Sequence, residues 1–254
     1  MRLILPAVIT VALLLVSSRL IQGQKASYVY VGCFYDSSAR PLPVIVSNLR
    51  DAIDWKNHSK TVDTCAAQVK TRGFQYFAIQ FYGECWSGKD AGTTFANVGP
   101  ASETKCKDGV GTSWVNAVYK IVNLPACSSG MLFTPKASSG FFLESTWCSS
   151  KNDTSPWLEM IFNGPTRITG IGIQGKYPNH WVTTFILEYS EDGSFYIPYR
   201  ERGLIRTFTG NTNWYDLQLQ GLVNPTEGQT FRLVPKTWQP SHSSACARIR
   251  LYGC

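Results

Sequence analysis

The chain has 254 residues, of which 44% are hydrophobic, 13% aromatic and only 16% charged, a balance that fits β-rich extracellular modules. Its formal charge of +7 is spread thinly, 24 basic against 17 acidic residues. No run of basic residues of the kind that reads nucleic acid or heparin is present, so the excess reads as ordinary solubility charge and no nucleic-acid partner is expected.

The chain opens with MRLILPAVITVALLLVSS. Arg2 supplies a short positive region, and Leu3 to Val16 is apolar and uncharged, too short for a comfortable membrane span. This is the pattern of a secretory signal peptide over residues 1–23, ending near Gly23. Removal of Arg2 and Arg19 lowers the charge from +7 to +5. A secreted, extracellular location makes the eight cysteines candidates for disulfides, because the compartment is oxidising. No C-x-x-C pair supports a zinc site.

YVYVGCF, from Tyr28, reads as a strand. A polar loop follows, with Pro41, Pro43 and the sequon at Asn57. In TVDTCAAQVKTRG, Val62, Cys65, Ala66 and Val69 fall on one helix face, Thr61 or Asp63 can cap its start, and Gly73 suits its end. FQYFAIQFYGECW is dense in β-formers and reads as a strand buried on both faces. Cys65 then faces that sheet, which favours Cys65–Cys85 and leaves Cys33–Cys106, although four cysteines allow three connectivities. Pro125, in Asn123-Leu124-Pro125-Ala126, marks a boundary with four cysteines on each side. The expected units are 25–124 and 127–254.

The second unit is all-β in pattern. RITGIGIQG, TTFILEYS, QTFRLVP and CARIRLYGC show alternation or dense apolar character, and Glu191-Asp192-Gly193 is a hairpin signal. In the last strand Ala247, Ile249 and Leu251 point one way, Arg248, Arg250 and Tyr252 the other. A second sequon lies at Asn152. The fold class expected is mainly β: a C-terminal jelly-roll sandwich behind a small, disulfide-stapled α+β domain.

Catalytic signatures are absent. The three histidines, His58, His180 and His242, fit no Ser-His-Asp order, and no G-x-S-x-G, H-E-x-x-H or P-loop occurs. No catalytic residue is assigned and no enzyme is expected.

Residues 127–254 resemble the discoidin domain, also called the coagulation factor V/VIII C-type domain. The resemblance is carried by WLEMIF at Trp157, ITGIGIQG at Ile168, WVTTFILEYSEDGSF at Trp181, FTGN at Phe208, FRLVPKTW at Phe231 and the closing RIRLYGC. It implies an eight-stranded jelly roll that binds ligands with loops at one end, the known ligands being anionic lipids, collagen, glycans and other proteins. It further implies that Cys127 pairs with Cys254 and Cys148 with Cys246, and that Trp181 and Trp238 are core residues. Three departures stand out. Ile161 occupies a usually acidic position, Arg250 replaces a usual glutamate, and Ser139 to Trp157 is short where relatives build membrane-entering spikes. The short segment disfavours lipid, and Phe141 and Phe142 read as core.

The ligand-facing candidates are Trp147 and the loop Lys176, Tyr177, Pro178, Asn179 and His180. Asn211 is a calcium candidate by family position; otherwise no cofactor is expected. Residues 28–119 resemble, more weakly, a WSC or PAN/apple-like cysteine module, in YVGCF, the helix segment and GECWSG. Glu84 and Trp86, flanking Cys85, are its first ligand candidates. The expected function is a secreted, non-enzymatic adhesion or recognition protein for glycans or for extracellular matrix or cell-surface proteins. The alternatives are an anionic-phospholipid binder and a structural matrix component.

Overall fold

The computed structural model describes residues 27–122, 129–143 and 146–253. The N-terminal module consists of β1 (Tyr28–Tyr35), β2 (Val44–Asn48), α1 (Ser59–Thr71), β3 (Tyr76–Gln80), β4 (Glu84–Ser87), the single turn α2 (Ala91–Thr94) and β5 (Val115–Ile121). The strands form one antiparallel sheet in the order β1-β5-β3-β4-β2. The helix face formed by Val62, Cys65, Ala66 and Val69 is buried against Phe77, Ile79 and Ala117, as its periodicity requires. Cys65–Cys85 ties helix to sheet, and Cys33 pairs with Cys106.

Two local expectations are corrected. The helix begins at Ser59, with His58 at the cap and no side-chain cap bond. Thr61 is buried within it, and Asp63 instead accepts a hydrogen bond from Tyr28 Oη at 2.7 Å. The stop at Gly73 holds: its φ is +74°, and its N–H donates to Lys70 O. The segment FQYFAIQFYGECW is not one strand but the hairpin β3–β4, turning at Phe81, Tyr82 and Gly83. Phe81 and Tyr82 take the left-handed conformation there, which bulky residues rarely adopt, so turn chemistry gave no signal.

The C-terminal module runs β6 (Ser129–Met131), β7 (Thr134–Ala137), β8 (Phe141–Leu143), β9 (Thr146–Cys148), β10 (Leu158–Gln174), β11 (Val182–Ser190), β12 (Ile197–Pro198), β13 (Arg200–Glu201), β14 (Leu204–Ile205), β15 (Thr207–Thr209), β16 (Gln218–Trp238) and β17 (Cys246–Gly253). Its main path is β12-β11-β16-β10-β17-β9-β8, antiparallel throughout. The register of β10 against β16 breaks twice, as bulges let long strands bend through a sandwich. Met160, Ile171, Phe185, Leu187, Phe231, Leu233 and Leu251 fill the β-sandwich core. Cys148 and Cys246 lie opposite each other on β9 and β17 and are bonded. Cys127, Cys254 and the boundary segment 123–126 lie outside the described residues.

The two modules share a buried seam. Ala247, Ile249 and Leu251 of β17 enter the sandwich core, as alternation demands. The opposite face turns toward the N-terminal module. Tyr252 joins Phe34, Tyr76, Phe95 and Leu217 in an apolar cluster drawn from both modules. Beside it, β1 carries a bulge between Tyr30 and Gly32. Arg250 donates there to the carbonyl oxygens of Tyr30 and, at 3.2 Å, Val31. A second clasp centres on the Asp216 carboxylate, which accepts from Tyr76 Oη, from Lys120 Nζ at 3.3 Å and from Gln218 Nε2 at 2.6 Å.

Candidate functional site

At the rim of this seam lies a cleft of about 230 Å³, lined by both modules. Trp214 stands in its wall. The indole lies tilted by 37° to the ring of Phe34 on β1, with ring centroids 6.2 Å apart, and roughly perpendicular to Tyr177 at 5.0 Å. Two asparagines hold the loop that carries Trp214. Asn213 Oδ1 accepts from the N–H groups of Tyr215 and Asp216, and Asn211 Nδ2 donates to Asp216 O at 2.6 Å. Gly175 lets this loop approach β10. A Cβ there would lie 2.7 Å from Trp214 Cα and 2.4 Å from His180 O, so no larger residue fits.

The polar lining is mixed. Lys176 and Arg248 bring positive charge, and Glu103 crosses from the N-terminal module to pair with Arg248 at 3.6 Å. Tyr30 Oη donates to Glu103 at 2.7 Å and fixes its carboxylate. Gln174, at the end of β10, donates from Nε2 to Tyr215 O at 2.7 Å, while its Oε1 is buried with no partner. Leaving a buried acceptor unmet costs about 1–3 kcal/mol. An O–H or N–H from a bound molecule would satisfy it. The wall thus offers aromatic faces, one orphan acceptor and charges of both signs.

The loop from Lys176 to His180 closes on itself through reciprocal backbone bonds of 2.7 and 2.9 Å between its end residues. Lys176 and Tyr177 line the cleft. Pro178 and Asn179 are exposed, and Asn179 Oδ1 meets His242 Nε2 at 3.1 Å. His180 stacks on His242, with centroids 3.7 Å apart. Burial, and after it the neighbouring His242 and Lys176, hold its imidazole below the usual histidine range.

The other candidates fall elsewhere. Trp147 is 0% exposed, packs in the sandwich core and donates its indole N–H to Ser139 O, so it faces no ligand. A tryptophan beside a cysteine gave no sign of which side of β9 it would occupy. Glu84 and Trp86 bond to each other at 3.1 Å on the N-terminal sheet, outside the cleft. Phe141 and Phe142 are not core residues: they are 54% and 45% exposed. Trp238 packs against the core, and Trp181 is half-buried. Both sequon asparagines, Asn57 and Asn152, are exposed. Around Asn211, the calcium candidate, few oxygens are free. It offers one unpartnered oxygen, Oδ1, and the nearby Asp216 carboxylate is already committed to the seam. Calcium needs six to eight oxygens. Sequence reading missed Trp214, Gln174, Arg248, Phe34 and Glu103 as one group, since tertiary docking alone brings them together.

Comparison with known proteins follows the same division. Residues 136–249 match the F5/8 type C domain, and residues 30–112 match the WSC domain. Among solved structures, the chain is similar to discoidin II from Dictyostelium discoideum, at 17% identity and a TM-score of 0.46, covering 52% of this chain and 60% of that one. The match thus spans less than two thirds of discoidin II. It is also similar to an F5/8 type C domain from Bacteroides fragilis (15% identity, 51% of this chain, 98% of that chain, TM-score 0.41). A third is the family 32 CBM from Clostridium perfringens NanJ, solved with galactose (14% identity, 47% and 93% covered, TM-score 0.38).

Proposed function

We propose, for a chain that joins a WSC domain to an F5/8 type C domain, that it is a secreted, non-enzymatic recognition protein that binds a glycan in the cleft between the two. Both domains are binding modules as a rule, and the F5/8 type C fold is a known carbohydrate- or ligand-binding one. The observation that carries the reading is the pairing of the Tyr177–Trp214 wall with the unsatisfied Gln174 Oε1. A pyranose presents C–H faces to such a wall and hydroxyl donors to such an acceptor. The disulfides among the described residues suit an oxidising compartment, and none of the described helices is long and apolar enough to cross a membrane.

The test is a glycan array with the mature protein, followed by calorimetry on the best ligand. Trp214→Ala should lower affinity at least tenfold, and Gln174→Leu severalfold. Full affinity in both variants would place the ligand elsewhere. The exposed Phe141–Phe142 pair favours one second reading, insertion into an anionic membrane. Vesicle binding that survives salt and is lost in Phe141→Ser/Phe142→Ser, with no glycan bound, would replace the first reading with that one.

A further inference from the structure

Four bulky residues of the N-terminal module carry left-handed backbone: Arg40, Phe81, Tyr82 and Trp114, with φ of 49°, 44°, 64° and 58°. Side chains of this size avoid that region, and such strain collects where a surface is shaped for binding. The four belong to one surface. Phe81 and Tyr82 follow Gln80, and their N–H groups donate to Thr112 O and Gly111 O, just before Trp114. Asp36 N donates to Trp114 O at 2.9 Å, and the turn from Ser37 closes on Arg40 N at 3.0 Å.

At the centre, the Arg40 guanidinium lies between two indoles, 4.6 Å from the ring of Trp86 and 4.5 Å from that of Trp114. Its Nη1 donates to Asp36 Oδ2 and, at 2.9 Å, to Gln80 Oε1. Gln80 Nε2 donates in turn to Asp36 at 2.6 Å and to Asn116 Oδ1 at 3.4 Å. Gln80 and Asn116 are buried, and Asn116 Nδ2 has no acceptor. Both faces and one edge of the guanidinium are therefore fixed. Nε and Nη2 form no hydrogen bond among the described residues. Trp114 remains 50% exposed, with exposed Tyr35 and Phe81 nearby. Lys105 Nζ stands 5.2 Å from the Tyr35 ring, a second cation on the same surface. Asp36 is consumed by Arg40 and Gln80, and Glu84 is paired with Arg50 at 3.7 Å and bonded to Trp86 Nε1.

We propose that this stack is a second binding site, which takes the carboxylate or sulfate group of an acidic glycan on the free edge of Arg40 and the sugar ring on Trp114. A guanidinium presents a planar fork that matches such anions with two parallel bonds, which an ammonium cannot do. Because its neighbours already hold it in place, little rotamer freedom is lost on binding. The site does not depend on the cleft reading, since Trp214 and Gln174 take no part in it.

The experiment uses the full mature chain and four probes: an oligogalacturonate, its methyl ester, a sulfated galactan oligosaccharide and the desulfated form. Calorimetry should show binding to one or both acidic probes, weakening with added salt, and none to their neutral counterparts. Arg40→Lys keeps the charge but loses the fork, and should lower affinity at least tenfold; Trp114→Ala should do the same from the solvent side. Trp214→Ala should change it less than twofold. Thermal melting checks that the Arg40 variant folds, and the exposed Trp114 provides the test should it not. Equal binding of charged and neutral probes, full affinity in Arg40→Lys or in Trp114→Ala, or no binding to either acidic probe would overturn the proposal.

Discussion

The junction cleft and the Arg40 stack use the same materials, indoles beside cations, but are built in opposite ways. The cleft is assembled from residues as distant as Phe34 and Trp214, and it exists only while the modules are docked. The stack draws on three loops of one sheet and stands on strained local backbone. A composite site reports on the interface that makes it; a local one reports only on its own module. The two should therefore fail separately.

The largest separation is expected from Arg250→Ala. The side chain satisfies two carbonyls that the β1 bulge frees from the ladder, and those carbonyls would stay buried after its loss. Removing a charged donor from such acceptors costs about 2–4 kcal/mol. Urea unfolding should show a loss of that size and cleft-ligand affinity should collapse, while acidic probes still bind the Arg40 stack. Arg250→Glu restores the residue usual in discoidin domains and should be worse, because it sets a carboxylate against two carbonyl oxygens. Wild-type stability in Arg250→Ala would mean that the seam does not rest on this clasp, and the contrast between the sites would lose its basis.

This arginine also shows how far the sequence could be read. Alternation in CARIRLYGC placed Ala247, Ile249 and Leu251 in the sandwich core, and that is where they are. The same alternation sent Arg250 and Tyr252 outward, which for a lone domain means solvent. Here the outside of one module is the inside of the pair. The departure from the usual glutamate was visible, but its reason was a bulge more than 200 residues earlier in the chain. Cys65–Cys85 was legible because helix periodicity and a neighbouring strand fixed its geometry locally. Trp214 was not, for its partners Phe34 and Tyr177 share no sequence period with it. Nor was the Arg40 stack, since left-handed tryptophan and arginine break the turn rules by which loops are read.

A smaller effect, confined to the cleft side, should follow acidification. Burial, His242 and Lys176 disfavour the charged form of His180 in the folded protein, while an unfolded histidine titrates near 6.5. Below that pH the unfolded chain takes up a proton that the folded one resists. Stability is therefore full above about 6.5 and falls as the pH drops through it toward the lowered folded value. Melting between pH 7.5 and 5.5 should decline in the wild type and decline less in His180→Gln. Cleft affinity should weaken over the same range, because the loop from Lys176 to His180 forms one wall. Among the described residues the Arg40 site has no histidine partner, and it should hold its affinity. An equal acid response in both sites would remove the distinction.

The smallest effect expected is that of calcium, and it sharpens the comparison by its size. A structural ion at Asn211 would brace the Trp214 loop from below and make the cleft, but not the stack, metal-dependent. The geometry argues otherwise. Asn211 Nδ2 already braces that loop through Asp216 O, and the carboxylate a hard cation would seek is turned toward Tyr76 and Lys120. Reclaiming it for calcium would release two of the contacts that join the modules. EDTA should accordingly change cleft affinity less than twofold and leave the melting temperature where it was. A rise in melting temperature on adding calcium, abolished in Asn211→Ala, would show that the loop has a second arrangement in which Asp216 leaves the seam. The cleft would then be gated by the ion while the Arg40 stack remained indifferent to it.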